Sequence, residues 1–487
     1  MYSTTLEPCN LEILKNPEQR GFLDEIQSAH VYLTNDQAEE FFIIVLSHFD
    51  KDISIENGKA ILHSICRILS KDEFLKVFVA KDLSSALPFS KKNYLEDVFD
   101  VLYVLVTRYP QAFNESLCAR FQRKIRNKGE KSLLILTIYS QHFNEIDNPW
   151  PMLELLFSEF NRFSKEDIAG KYASLLAVLV QSYPEFRRAK GAEAWENVCQ
   201  LLSIENDEIL DQVYNSLAII ANSIRHCEFP FQYILEHFQH QSLQKSIVSL
   251  LLVVPLEGSK LKDYGFIKSL VKIASENPKA LLVLFRLAES KSIAQILVEK
   301  DPSWMEKDIP NLIDTLRLFL VVFQHKQLRP FIATATEFYN LMLRLIDEKN
   351  ESIIAIVCII IRRLDLTEEV IAELSSTGFI MTFMETVREM NTIGSSRYGL
   401  LLLDKIAKSY YTKELVQSCE WVSKLIKARG DLFEDAAVVA TGLCKYRRCE
   451  KKFKELYMIE FFLKLKKDPE SKKIASKFLK AIGSDEY

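Results

Sequence analysis

The sequence predicts an all-α solenoid, in which layers of paired helices stack along the chain in about twelve irregular repeats. Three observations lead there. Apolar stretches of two or three helical turns recur through all 487 residues, each opening and closing on polar residues. Their starting points lie about 33 to 46 residues apart. Glycine is scarce, at 13 residues, or about 3% against a usual ~7%, which disfavours folds built on many tight turns or glycine-rich ligand loops. The composition is 48% hydrophobic and 26% charged with a net charge of −4, which fits a folded chain and not a disordered one. Length alone would suggest three or four domains, but the even spacing predicts one continuous array over residues 1–487.

The apolar segments begin near residues 58, 96, 130, 170, 210, 243, 277, 313, 350, 396, 434 and 471. The most apolar is "ESIIAIVCIIIRRLD", residues 351–365. Its nine successive apolar residues would rise only about 13 Å as a helix, too little for the ~20 residues a membrane span needs. No other run is longer without interruption, so no membrane span is expected. Strand and buried helix cannot be separated by the pattern of one short run. The recurrence settles the choice in favour of a helix sandwiched between neighbours and buried on all sides. Amphipathic stretches lie between these inner helices, among them 71–83, 264–277, 335–348, 378–390 and 419–430. Breaks fall at 146–151, 255–265, 300–310 and 391–399; "NTIGSSRYG" (391–399) reads as a mobile, exposed loop.

The spacing matches armadillo- and HEAT-type repeats, of about 40–47 residues with two or three helices each. Two segments end almost alike, "VLVTRYP" and "VLVQSYP", and in both the proline (Pro110, Pro184) sits where a helix should stop. On these grounds the chain resembles armadillo-like helical-repeat proteins over nearly its whole length. That resemblance implies a right-handed superhelix. In armadillo importins and catenins, an asparagine late in the inner helix holds extended peptides. Asn222 in "LAIIANSI" could stand at that position, but the matching places in "VLVTRYP", "VLVQSYP" and "LLVLFRL" carry none. Trp195 in "AWENVC" lacks the asparagine four residues on. An asparagine ladder is therefore not implied. The chain also looks like the helical-repeat tails of some kinase-like proteins, without a kinase portion.

Catalytic patterns are missing. No two glycines are closer than Gly394 and Gly399, so no phosphate-cradling loop exists. Kinase signatures and G-x-S-x-G are absent. His226, Cys227, His237 and His240 fall close together, but one cysteine and this spacing fit no standard zinc site. Cys444 and Cys449 flank "KYRR" without C-x-x-C spacing and read as packing residues. The carboxylate pairs Glu39–Glu40 and Glu368–Glu369 read as surface charge. We expect no cofactor, no metal and no enzyme activity. The nine cysteines are odd in number and scattered, several within apolar runs, as core thiols are. The first residues lack a basic start followed by an apolar core, so no signal peptide is expected. A reducing, cytoplasmic place follows, with the nucleus left open.

Charge is uneven. Residues 445–480 carry 13 Lys/Arg and 5 Asp/Glu, or +8, which leaves −12 on the rest of a chain totalling −4. Within this stretch Lys445, Arg447, Arg448, Lys451, Lys452 and Lys454 are the densest cluster. A second cluster holds Arg120, Arg123, Lys124 and Arg126. A basic C-terminal segment suits a solvated cap on the last repeat. It suits, as a second reading, docking of an acidic protein or an anionic membrane surface, and less well a nucleic acid, since Tyr446, Phe453 and Tyr457 fall at helical spacings suited to packing. The overall expectation is a non-catalytic scaffold or adaptor that binds a protein partner. The rival readings are a nucleic-acid- or transport-associated repeat protein using the basic end, and a regulatory partner of a kinase-like protein.

Overall fold

The computed structural model describes residues 8–125, 129–224, 228–307 and 309–483. Among them every regular element is a helix or a short 3-10 turn, and no strand occurs. The chain forms two compact units divided between Pro255 and Leu256, at the edge of the 255–265 break. All twelve apolar segments fold as helices. In the first unit they are Ile55–Ile68, Leu95–Arg108, Gly129–Gln141, Ala169–Ser182, Asp207–Ser223 and Gln244–Leu251. In the second they are Pro278–Ala288, Leu312–Phe323, Glu351–Arg363, Ile393–Ser409, Phe433–Leu443 and Lys472–Ala481.

Local chemistry sets their ends. The Ser54 hydroxyl accepts from the Asn57 amide, and the side chains of Asn206 and Asn350 each accept from two amides of the turn that follows. Such caps contribute about 1 kcal/mol each by satisfying donors a helix start leaves open. The two prolines act at both sides of a boundary. Helices stop at Arg108 and Ser182, because a residue before proline disfavours the helical conformation. Pro184 then opens the helix Pro184–Gln200, where its missing N–H is no loss.

Stacking follows the sequence period. In the first unit each inner helix from Ile55–Ile68 to Gln244–Leu251 packs on the next. In the second, Glu351–Arg363 packs on Ile393–Ser409, that helix on Phe433–Leu443, and the latter on Lys472–Ala481. Hydrogen bonds join successive layers at the same interval. Tyr94 Oη donates to the Ile53 carbonyl (3.1 Å, 41 residues apart). Tyr183 Oη donates to Gln141 (3.3 Å, 42 apart), and Tyr446 Oη to Ala407 (2.9 Å, 39 apart).

Two expectations are corrected. The inner helices are not buried all round. Ile359 is 44% exposed, in the middle of the run read as fully enclosed. Leu134, Val178, Leu282 and Val438 are open in the same way on other inner helices. The partner helix and the flanking layers cover most of such a helix but leave one stripe uncovered. The second correction concerns 391–399, which is not a loop. The helix Ile393–Ser409 begins there, on a capping box in which the Thr392 hydroxyl accepts from the Ser395 amide (3.0 Å) and the Ser395 hydroxyl from the Thr392 amide (3.2 Å). Gly399 is buried, and a Cβ there would lie 2.9 Å from Val387 Cγ1 and 3.0 Å from Trp421 Cη2. The small residues admit a close helix crossing. Gly399→Val is therefore expected to cost about 1–3 kcal/mol by overpacking. Thermal melting reads the effect; an unchanged midpoint would show that the crossing is looser than described.

Candidate partner-binding surfaces

The helix Arg447–Glu455 turns Cys449 and Phe453 inward and packs on Lys413–Ala428. This leaves Arg447, Arg448, Lys451 and Lys454 exposed on its other sides. Lys454 pairs with Glu450, and the half-buried Lys452 lies 3.8 Å from Glu455. The exposed Lys445 is treated differently: its Nζ stands 4.7 Å from the centre of the Tyr446 ring. The Arg448 guanidinium lies 5.9 Å from the centre of the Tyr411 ring, with Nη1 3.5 Å from the Tyr411 hydroxyl. The two rings are 5.5 Å apart. Tyr411, which the sequence did not mark, thus joins two of the marked cations, Arg448 directly and Lys445 through the Tyr446 ring.

The second basic cluster behaves otherwise. Arg120 donates from Nη1 to the carbonyls of Ser84 and Ser85 and from Nη2 to Leu87 (2.7 Å). Its guanidinium also lies 4.6 Å from the centre of the Phe89 ring. Arg123 is exposed and Lys124 half-buried, while Arg126 lies outside the described residues.

The uncovered stripe opens a cleft in the first unit. Between Gly129–Gln141 and Ala169–Ser182 lies a space of about 660 Å³, with Leu133 and Leu175 beneath and Leu134 and Val178, 47% and 50% exposed, at its mouth. Thr137, Ser140, Ser174 and Gln212 supply polar walls. Ion pairs between layers stand at one end. Lys131 reaches Glu96 (2.6 Å) and Asp100 (2.7 Å), and Lys171 reaches Glu130 (2.6 Å). A second hollow of about 670 Å³ adjoins it through Lys171 and Gln212 and is lined by Glu166, Asp167 and Glu208. Gly170 makes room here, since a Cβ on it would lie 2.1 Å from Gln212 Oε1. Asn222, singled out by the resemblance, is exposed on Asp207–Ser223, as are Gln212 and Asn215. No sequence signal marked the cleft, because an exposed Leu or Val inside an apolar run looks like its buried neighbours.

The histidines serve structure. His237 Nδ1 meets the Tyr214 hydroxyl at 2.8 Å, and burial holds its pKa below the usual histidine value. His240 Nδ1 lies 3.0 Å from Asp207, which also accepts from Ser242. These bonds, Ser242 foremost, keep Asp207 below the usual carboxylate range. His226 and Cys227 lie outside the described residues. Among the described residues no three His, Cys, Asp or Glu side chains gather as a metal site would require. Burial pushes the thiols of Cys66 and Cys444 up to about 12, so at neutral pH both stay protonated and unreactive. Glu39 pairs with Lys81 (2.9 Å). Glu369 is held below its usual value by its own backbone N–H and the Thr367 hydroxyl, the reverse of a poised general acid. Among the described residues no helix is long and apolar enough to cross a membrane.

The stacked layers make the chain an all-α helical-repeat protein. No family model and no curated protein matches it. Solved structures do. One, reported as "A conserved phosphorylation switch controls the interaction between cadherin and beta-catenin in vitro and in vivo", is 9% identical at a TM-score of 0.43, covering 98% of this chain and 100% of that one. Importin beta, in an ammonium sulfate condition, is 12% identical at 0.37, covering 98% and 71%. SYS-1 is 11% identical at 0.29, covering 97% and 96%.

Proposed function

We propose that the chain is a non-catalytic scaffold or adaptor that holds a protein partner along the uncovered stripe of its inner helices. The observation that carries this is the cleft floored by Leu133 and Leu175 and edged by the half-exposed Leu134 and Val178. Apolar side chains clustered in an open cleft with polar walls are the usual make-up of a partner-binding surface. Fully burying an exposed Leu or Val stabilises by about 1.5–3 kcal/mol, so covering these two half-exposed side chains contributes about that much together. The raised thiols of Cys66 and Cys444 support a binding role over thiol chemistry at those positions. The free cysteines also support a reducing, cytoplasmic setting.

A photo-crosslinking residue at position 178 tests this in cell extract. It is expected to give one discrete adduct that excess unlabelled protein competes away and excess Val178→Asp does not. The same probe in place of the exposed Ala189, on the helix Pro184–Gln200, is the control. Identical adducts at both positions, or none at 178, would sink the reading.

A further inference from the structure

We infer that the tyrosine–arginine cluster of the second unit is a docking site for an acidic segment of a protein partner. The cluster is built by stacking. Phe433–Leu443 packs on Ile393–Ser409 and on Lys413–Ala428, which brings the turn holding Tyr410 and Tyr411 beside the turn holding Lys445 and Tyr446. The Tyr446 hydroxyl fastens the two by donating to the Ala407 carbonyl at 2.9 Å. Lys445, Arg447 and Arg448 stand exposed around this seam.

Their surroundings separate Lys445 and Arg448 from the other cations nearby: Lys451 is likewise without a carboxylate partner, but among the described residues of 445–480 only these two lie over aromatic rings. Lys454 is neutralised by Glu450, and Arg429 by Asp468 at 3.0 Å. Among the described residues, Lys445, Arg447 and Arg448 have no carboxylate partner. Lys445 and Arg448 lie instead over the Tyr446 and Tyr411 rings. A ring restrains a cationic side chain and cancels none of its charge. The result is positive charge held in place ahead of a ligand, which lowers the ordering cost of binding. Guanidinium groups suit carboxylates through paired N–H donors. Tyr410 and Tyr411, 41% and 38% exposed, supply the aromatic contact area that accompanies arginine in protein interfaces.

The arrangement favours a peptide over a nucleic acid. Bases stack on open ring faces in series, whereas Tyr446 lies under Lys445 and beside Tyr411. A long polyanion must also pass over a chain that carries −12 outside residues 445–480. A short acidic segment need touch only the cluster.

Fluorescence anisotropy with the full chain tests the site, using a labelled glutamate-rich peptide and a labelled single-stranded oligonucleotide of equal charge. The peptide is expected to bind, and Arg447→Ala/Arg448→Ala to weaken it about tenfold. Lys472→Ala/Lys473→Ala, an equal loss of charge elsewhere in the basic segment, is expected to change little. Carbodiimide coupling on the unaltered protein gives a readout that needs no variant: the peptide is expected to attach to Lys445, located by mass spectrometry. Equal weakening by both variants, attachment spread evenly over the lysines of 445–480, tighter binding of the oligonucleotide, or no peptide binding would each overturn the assignment.

Discussion

Replacing Trp304 with alanine is expected to cost about 3–5 kcal/mol of stability. The side chain is fully buried in the turn Pro302–Glu306, and its indole N–H donates to the Leu297 carbonyl at 2.9 Å. That turn packs between Lys291–Glu299 and Thr336–Asp347. Truncation would leave a large hole and an unpaired buried carbonyl between two layers. Because helical layers touch chiefly their neighbours, the damage should stay local. Hydrogen exchange is expected to show lost protection across residues 291–347 while Leu95–Arg108 and Ala169–Ser182 keep theirs. A uniform loss through both units, or a change below about 1 kcal/mol, would contradict the layered packing.

Arg120 and Arg123 should respond very differently to the same change. Arg120→Met removes donors to three carbonyls of the Ser84–Leu87 turn and the stacking on Phe89, an expected loss of about 2–3 kcal/mol. Arg120→Lys should recover little, since an ammonium cannot span three acceptors from one plane. Arg123 is exposed, and Arg123→Met is expected to stay within about 0.5 kcal/mol. Chemical denaturation of the three variants decides it. Equal effects at 120 and 123 would mean that the turn holds itself without the guanidinium.

The layered fold was legible because its signal repeats. The shared ending of "VLVTRYP" and "VLVQSYP" located two helix ends, and the interval between apolar runs is the interval bridged by Tyr94, Tyr183 and Tyr446. What one residue does within a run was not legible. Ile359 and Ile360 are adjacent and identical, yet one is 44% exposed and the other 1%; no polar residue in that run marks which side faces out. Thr392, Ser395 and Gly399 looked like loop residues because hydroxyls and glycine favour turns. Here the hydroxyls cap a helix, and the missing side chain admits Val387 and Trp421. Composition marked Arg120 and Arg448 equally as basic. Only the folded chain shows that one is spent on carbonyls and the other lies over a tyrosine.

The bonds that join Tyr94 to Ile53 and Tyr446 to Ala407 also bear on how such a chain is made. Each closes a loop of about forty residues, for which the entropic penalty grows only slowly with length. A newly made layer finds its neighbour already outside the ribosome and need not wait for distant sequence. The core is thus assembled in the order of synthesis, and each apolar run is covered soon after it emerges, before it can aggregate.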